Sequence, residues 1–205
     1  MPAKPHCDRF WFLTWTTYGT WLPGDERGFV SPVRIGPGPE VRHNIAGTPY
    51  DANMPRLREH VLRNLPCPPI YLVLEQADAV HDQFHETAEH RKWLIVADAV
   101  MCNHAHIVVG VPGDPDPETI LRDFKAYASR KLNRGWGKPV SETWWTESGS
   151  KRKLKTDSDI LAAARYARDQ PGALVVWIHP DFAGELGSNP ADFERKRVVG
   201  GISGG

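Results

Sequence analysis

The sequence predicts an α+β fold, a mainly antiparallel sheet with helices packed on one face. Three observations predict it. Residues 9–18 are dense in aromatic and β-branched side chains; two short β-rich runs are joined at Met101-Cys-Asn-His104; and three segments with helical periodicity are interleaved with these strands rather than grouped together.

The first strand is Arg9-Phe-Trp-Phe-Leu-Thr-Trp-Thr-Thr-Tyr18, bounded by Gly19. Residues 22–70 then hold nine of the 18 prolines and little periodicity, so they read as a long insertion with a short helix at Met54–Arg63. Val73, Ala77, Val80, Phe84 and Ala88 recur at helical spacing and predict an amphipathic, acidic helix over 73–90. Trp93–Val100 and Ala105–Val111 form a hairpin. Asp116 followed by Pro117 is an N-cap with proline at the first helical position, opening a helix to about Asn133. Thr143–Glu147 and Ser150–Lys155 flank Ser148-Gly149 as a second hairpin, Asp157–Asp169 is a third helix, and Ala173–Ile178 is a last strand. Residues 1–178 are therefore expected to form a single domain, with 179–205 a largely disordered tail.

With 205 residues, 40% hydrophobic and 24% charged, the chain has globular composition. Its 25 basic and 25 acidic residues cancel, so any nucleic-acid surface must be local. Three cysteines without C-x-x-C spacing exclude a disulfide framework and a four-cysteine zinc site. No stretch approaches the roughly 18 apolar residues that span a bilayer, and the N-terminus has no apolar signal core, so the expected location is cytoplasmic, with no membrane partner.

Residues two apart on a strand share a face, so His104 and His106 project together and can present two imidazole nitrogens to one divalent cation. Between residues 122 and 155 there are ten positive residues against three negative ones, with Trp136, Trp144 and Trp145 among them. Phosphate neutralisation combined with aromatic stacking is what single-stranded nucleic acid requires. The candidates for that surface are Lys125, Arg130, Lys131, Trp144, Lys151, Arg152 and Lys153. On the helix after Asp116, Tyr127 lies at the edge of the apolar stripe, in a row with Asp123 one turn before and Lys131 one turn after.

Met101-Cys-Asn-His-Ala-His-Ile-Val-Val109 resembles the Met-Pro-Asn-His-Val-His-Leu-Leu pattern of the single-tyrosine HUH transposases, close to the REP-associated tyrosine transposases, with Cys102 replacing Pro. Phe12–Tyr18 is similar to the family's first strand, Phe124-Lys-Ala-Tyr127-Ala-Ser-Arg130 to its tyrosine helix, and Arg165-Tyr166-Ala-Arg-Asp-Gln-Pro171 to its later helix. The resemblance implies a ferredoxin-like fold and metal-dependent cleavage and rejoining of single-stranded DNA, hairpin- or repeat-containing, through a covalent 5′-phosphotyrosine. It implies Mg²⁺ or Mn²⁺ held by His104 and His106, with Tyr127 as nucleophile; a monomer and a homodimer exchanging tyrosine helices both stay open. Family members often place Gln or Asn one turn after the tyrosine as a third ligand. Here Lys131 stands there instead, and an ammonium cannot coordinate a cation. Asp123 is the substitute ligand considered, its other role being a surface carboxylate; Lys131 would bind the scissile phosphate.

Two other readings compete. A domesticated relative would bind single-stranded DNA or RNA without cutting. His81-Asp-Gln-Phe-His85 mimics the zinc-peptidase H-E-x-x-H, with Asp in place of Glu, and would make a zinc metallohydrolase.

Overall fold

The computed structural model describes residues 6–26, 32–33, 41–42 and 53–187. Its elements in chain order are β1 (Arg9–Thr16), β2 (Pro32–Val33), β3 (Val41–Arg42), α1 (Pro55–Arg63), α2 (Leu74–Arg91), β4 (Leu94–Met101), β5 (His104–Val111), α3 (Pro117–Trp136), β6 (Ser150–Leu154), α4 (Asp157–Arg168), β7 (Ala173–Ile178) and α5 (Pro180–Ala183). Residues 27–31, 34–40 and 43–52 of the expected insertion lie outside the described residues. Within it, β2 pairs with β3, and α1 carries no buried side chain. The expected tail begins with an ordered turn of helix, α5; residues 188–205 lie outside the described residues.

The main sheet has five strands in the order β6-β1-β5-β4-β7, every neighbouring pair antiparallel. Strands β1, β4, β5 and β6 with helices α2 and α3 form the βαββαβ unit of a ferredoxin-like fold, and β7 extends its edge. The local signals act as the residue types dictate. Asp116 accepts from the Glu118 amide and starts α3, and Gly137, at φ 78°, ends it. Thr156 and Asp159 form a reciprocal capping box at the start of α4.

One sequence-based expectation is corrected here, because the helices do not all lie on one face. Trp11, Leu13, Trp15, Ile107 and Val109 pack under α2 and α3, while Phe10, Phe12, Val108, Ala97 and Ala99 pack against α4. Topology supplies the reason. β1→α2→β4, β5→α3→β6 and β6→α4→β7 each join parallel strands, and such crossovers are right-handed. The first two run in opposite directions across the sheet on oppositely oriented strands, so their helices share a face. The third runs in the same direction as the first from a strand of opposite sense, which puts α4 on the other face.

A second correction concerns the predicted hairpin of 143–147 with 150–155. Strand β6 pairs instead with β1, and Thr143–Glu147 contributes only one bridge, Thr17 to Trp145. Gly149 leads into β6 so close to β1 that a Cβ there would stand 2.7 Å from the Thr14 carbonyl oxygen.

Candidate functional site

His104 and His106 lie on β5 opposite Thr16 and Thr14 of β1, on the α4 face of the sheet. Their rings stand edge to face, centroids 4.9 Å apart. The Nδ1 of His104 donates to Asn103 Oδ1 at 2.6 Å, and the Nδ1 of His106 lies 2.7 Å from Thr14 Oγ1. With Nδ1–H donated to Asn103, His104 Nε2 keeps its lone pair, and the same tautomer at His106, donating to the Thr14 hydroxyl, gives the arrangement that orients an imidazole as a metal ligand. The Nε2 of His106 is buried and has no hydrogen-bond partner among the described residues. Burial, reinforced by His104, pushes the His106 pKa down to about 3, so the ring is neutral at physiological pH. An orphaned buried nitrogen next to a second oriented imidazole fits a divalent cation.

The tyrosine next to this pair is Tyr166, in the last turns of α4. Its ring centroid lies 5.3 Å from that of His106 and 5.7 Å from that of Phe12, edge-on to both, and the residue is 54% exposed. Gln170 follows one turn later and anchors its amide on the Tyr166 carbonyl at 2.9 Å. Tyr127 is elsewhere. It belongs to α3, whose Ile120, Leu121, Phe124, Ala128 and Leu132 pack on the opposite face, and Arg130 stacks on its ring at 4.7 Å. The sheet separates it from the histidines, so the structure does not assemble the expected Tyr127–His104–His106 site. Asp123, on the same helix, pairs with Arg91 of α2 at 2.7 Å instead of facing the histidines. Tyr166 and Gln170 carry a sequence signal of their own: the glutamine one turn after a tyrosine, which is missing at Lys131, is present here.

Residues 71–163 match the family model described as "Transposase IS200 like". The match spans α2, β4, β5, α3 and β6 together with the first half of α4. No curated protein sequence matches this chain. Two solved structures are similar to it. One is a REP-associated tyrosine transposase bound to a REP hairpin, with 12% identity, a TM-score of 0.46 and coverage of 94% of this chain and 89% of that one. The other is a Deinococcus radiodurans protein assigned as a transposase, with 14% identity, a TM-score of 0.44 and coverage of 83% and 97% respectively.

The basic residues divide between the two faces of the sheet. Arg152 pairs across from Phe12 on the histidine face, with its guanidinium 5.4 Å from the Phe12 ring centroid. Lys151 and Lys153 point to the other face, where Lys151 binds Glu118 at 2.6 Å and Lys153 lies 5.7 Å from the Trp11 ring centroid. Arg130 and Lys131 follow α3 to that face as well. Lys125 is turned inward onto the carbonyl oxygens of Thr146, Glu147 and Ser148, at 2.5, 2.9 and 3.2 Å, and burial pushes its pKa down to about 8. Trp144, expected as a stacking platform, is buried and donates to Asn133 Oδ1 at 2.8 Å. Trp145 is buried too, donating to the Lys125 carbonyl at 3.1 Å. Because their segment is not a strand, the alternation that would have exposed one of them does not operate.

The fold also brings His81 and His85 together with Asp98 of β4. His81 Nδ1 lies 2.8 Å from Asp98 Oδ1, and His85 Nε2 lies 2.9 Å from Oδ2. Asp98 faces α2, so this group sits on the far side of the sheet from His104 and His106. Its carboxyl is held down at about 2, the two histidines outweighing a large burial penalty. Among the described residues, no helix is long and apolar enough to cross a membrane.

Proposed function

We propose that this protein is an IS200-like transposase, a metal-dependent single-stranded DNA endonuclease and strand transferase in which Tyr166 is the nucleophile. One observation carries the reading: Tyr166 stands on the same sheet face as His104 and His106, 5.3 Å from the His106 ring, while Tyr127 stands on the other. His104 and His106 would hold the cation through Nε2. Gln170 takes the place of Asp123 as the third ligand, its side-chain oxygen being left over once the amide nitrogen is donated to Tyr166. A Mg²⁺- or Mn²⁺-class ion held there would polarise the scissile phosphate and stabilise charge on the attacking and leaving oxygens.

The Tyr166 hydroxyl oxygen bonds to phosphorus as the bond to the 3′ oxygen breaks. The phenol proton passes to solvent and the 3′ oxygen takes one up. The product, a 5′-phosphotyrosine and a free 3′ hydroxyl, keeps the phosphodiester energy, so rejoining is the same step reversed and needs no nucleotide cofactor. Half-exposure of Tyr166 suits a nucleophile that must meet an extended strand. Arg152, on the same face, is placed to neutralise a backbone phosphate.

Labelled single-stranded DNA carrying a hairpin, incubated with protein and Mn²⁺ and run on a denaturing gel, tests the reading. A covalent adduct that disappears with chelator, with His104→Ala and with His106→Ala is the expected result. Binding without an adduct would favour the domesticated, non-cutting reading.

A further inference from the structure

The sheet face away from His104 and His106 carries a second set of metal-ligating side chains that the proposed cleavage does not use. His81 and His85 stand one turn apart on α2, Asp98 rises from β4 beneath them, and one ligand atom from each lies within 4.8 Å of the others. Three ligands on a helix and a strand are held by the fold itself, with no loop to order on binding. Asp98 is fully buried and His81 is 5% exposed, while His85 reaches the surface beside Trp177, their ring centroids 4.4 Å apart.

A carboxylate sealed in the interior costs several kcal/mol unless charge compensates it. The two imidazoles hydrogen-bond it through shared protons; a divalent cation in place of those protons would bring two charges and take a lone pair from all three groups. Two nitrogens and one oxygen, with histidines four apart on a helix, are the donors of a borderline ion such as Zn²⁺ rather than Mg²⁺ or Ca²⁺, which take oxygen ligands. Bonds of about 2.0–2.1 Å in a tetrahedron place ligand atoms roughly 3.3 Å apart. The observed 2.8 and 2.9 Å separations need only a small opening of the side chains.

We propose that His81, His85 and Asp98 form a second metal site, selective for a Zn²⁺-class ion, that clamps α2 to β4. It lies back to back with the histidine strand, since Ala99, next to Asp98, pairs with His106 on the opposite face. With Asp98 and His81 sealed, an ion here meets water only past His85. That makes the site a structural clamp rather than the hydrolytic centre that the H-D-x-x-H spacing suggested. The proposal does not depend on the cleavage reaction.

The test uses the full chain carrying His104→Ala and His106→Ala, which removes the other histidine pair and leaves the cluster intact. Zinc is measured by mass spectrometry after dialysis, Co²⁺ loading by the intense visible absorption of four-coordinate cobalt, and unfolding temperature with and without chelator. One equivalent of zinc, the cobalt band and a chelator-lowered unfolding temperature are expected. His85→Ala on that background should lose all three; the side chain reaches the surface, so truncation leaves no sealed cavity. Asp98→Asn should lose the cobalt band while circular dichroism stays unchanged. Absence of bound zinc and cobalt in the His104→Ala/His106→Ala protein overturns the proposal, as does zinc that persists in the His85→Ala variant.

Discussion

Replacing Tyr166 by Phe removes a single oxygen from a side chain that is 54% exposed. The ring stays, and with it the edge contacts at 5.3 Å to His106 and 5.7 Å to Phe12. Stability should therefore change by less than about 0.5 kcal/mol, as for surface substitutions away from special features. Cleavage should fall by on the order of 10⁴-fold or more, the scale on which loss of a covalent nucleophile is felt, equivalent to about 5.4 kcal/mol of barrier. Tyr127→Phe is the matched control, because its ring stacks on Arg130 at 4.7 Å on the far face and should keep that contact without its hydroxyl. The assay is adduct formation with 5′-labelled and 3′-labelled hairpin DNA, read alongside a denaturant titration of each variant. An adduct that survives in Tyr166→Phe and vanishes in Tyr127→Phe would refute the assignment. Mixing Tyr166→Phe with His104→Ala adds the oligomeric question: restored cleavage means that tyrosine and histidines act across a homodimer.

Four further outcomes follow from the same geometry. Trp144→Ala should destabilise the fold by about 3–5 kcal/mol, the cost of emptying a buried aromatic site, as measured by urea unfolding; a weakened DNA affinity with unchanged stability would restore it as a stacking platform. Arg152→Ala should reduce the salt dependence of single-stranded DNA binding by about 0.7 in log–log slope while Lys153→Ala leaves it unchanged, since they face opposite sides of β6; equal effects in a salt titration would mean the DNA wraps both faces. Asp123→Ala should leave the Mn²⁺ concentration for half-maximal cleavage unchanged and cost about 1 kcal/mol or less through its ion pair with Arg91, whereas Gln170→Ala should raise that concentration. The Lys125 ammonium has its pKa pushed down to about 8 from 10.5. Unfolding therefore takes up a proton between those values, and wild type should gain stability relative to Lys125→Met as pH rises through that window, read by denaturant series at its two ends.

Much of the architecture is local and so was readable from the sequence. Alternation along β5 put His104 and His106 on one face, the Asp116-Pro117 pair opened α3, and Ala173–Ile178 was delimited to the residue. These signals are short-range because side-chain period, capping and proline geometry depend on neighbours in sequence. The composition of residues 122–155 was equally plain, yet it could not say that Lys125 turns inward onto three carbonyls or that both tryptophans of 143–147 are buried.

Which tyrosine meets the histidines was decided only by the tertiary structure. Tyr127 and Tyr166 both sit on amphipathic helices beside similar apolar stripes, and nothing within either helix states which face of the sheet it will cover. That follows from the strand order β6-β1-β5-β4-β7 combined with right-handed crossovers, which send α3 to one face and α4 to the other. The same long-range pairing set Asp98 beneath His81 and His85 and divided Arg152 from its neighbours Lys151 and Lys153. Sequence thus determined which side chains could do chemistry, and the handedness of the chain between distant strands determined which of them meet.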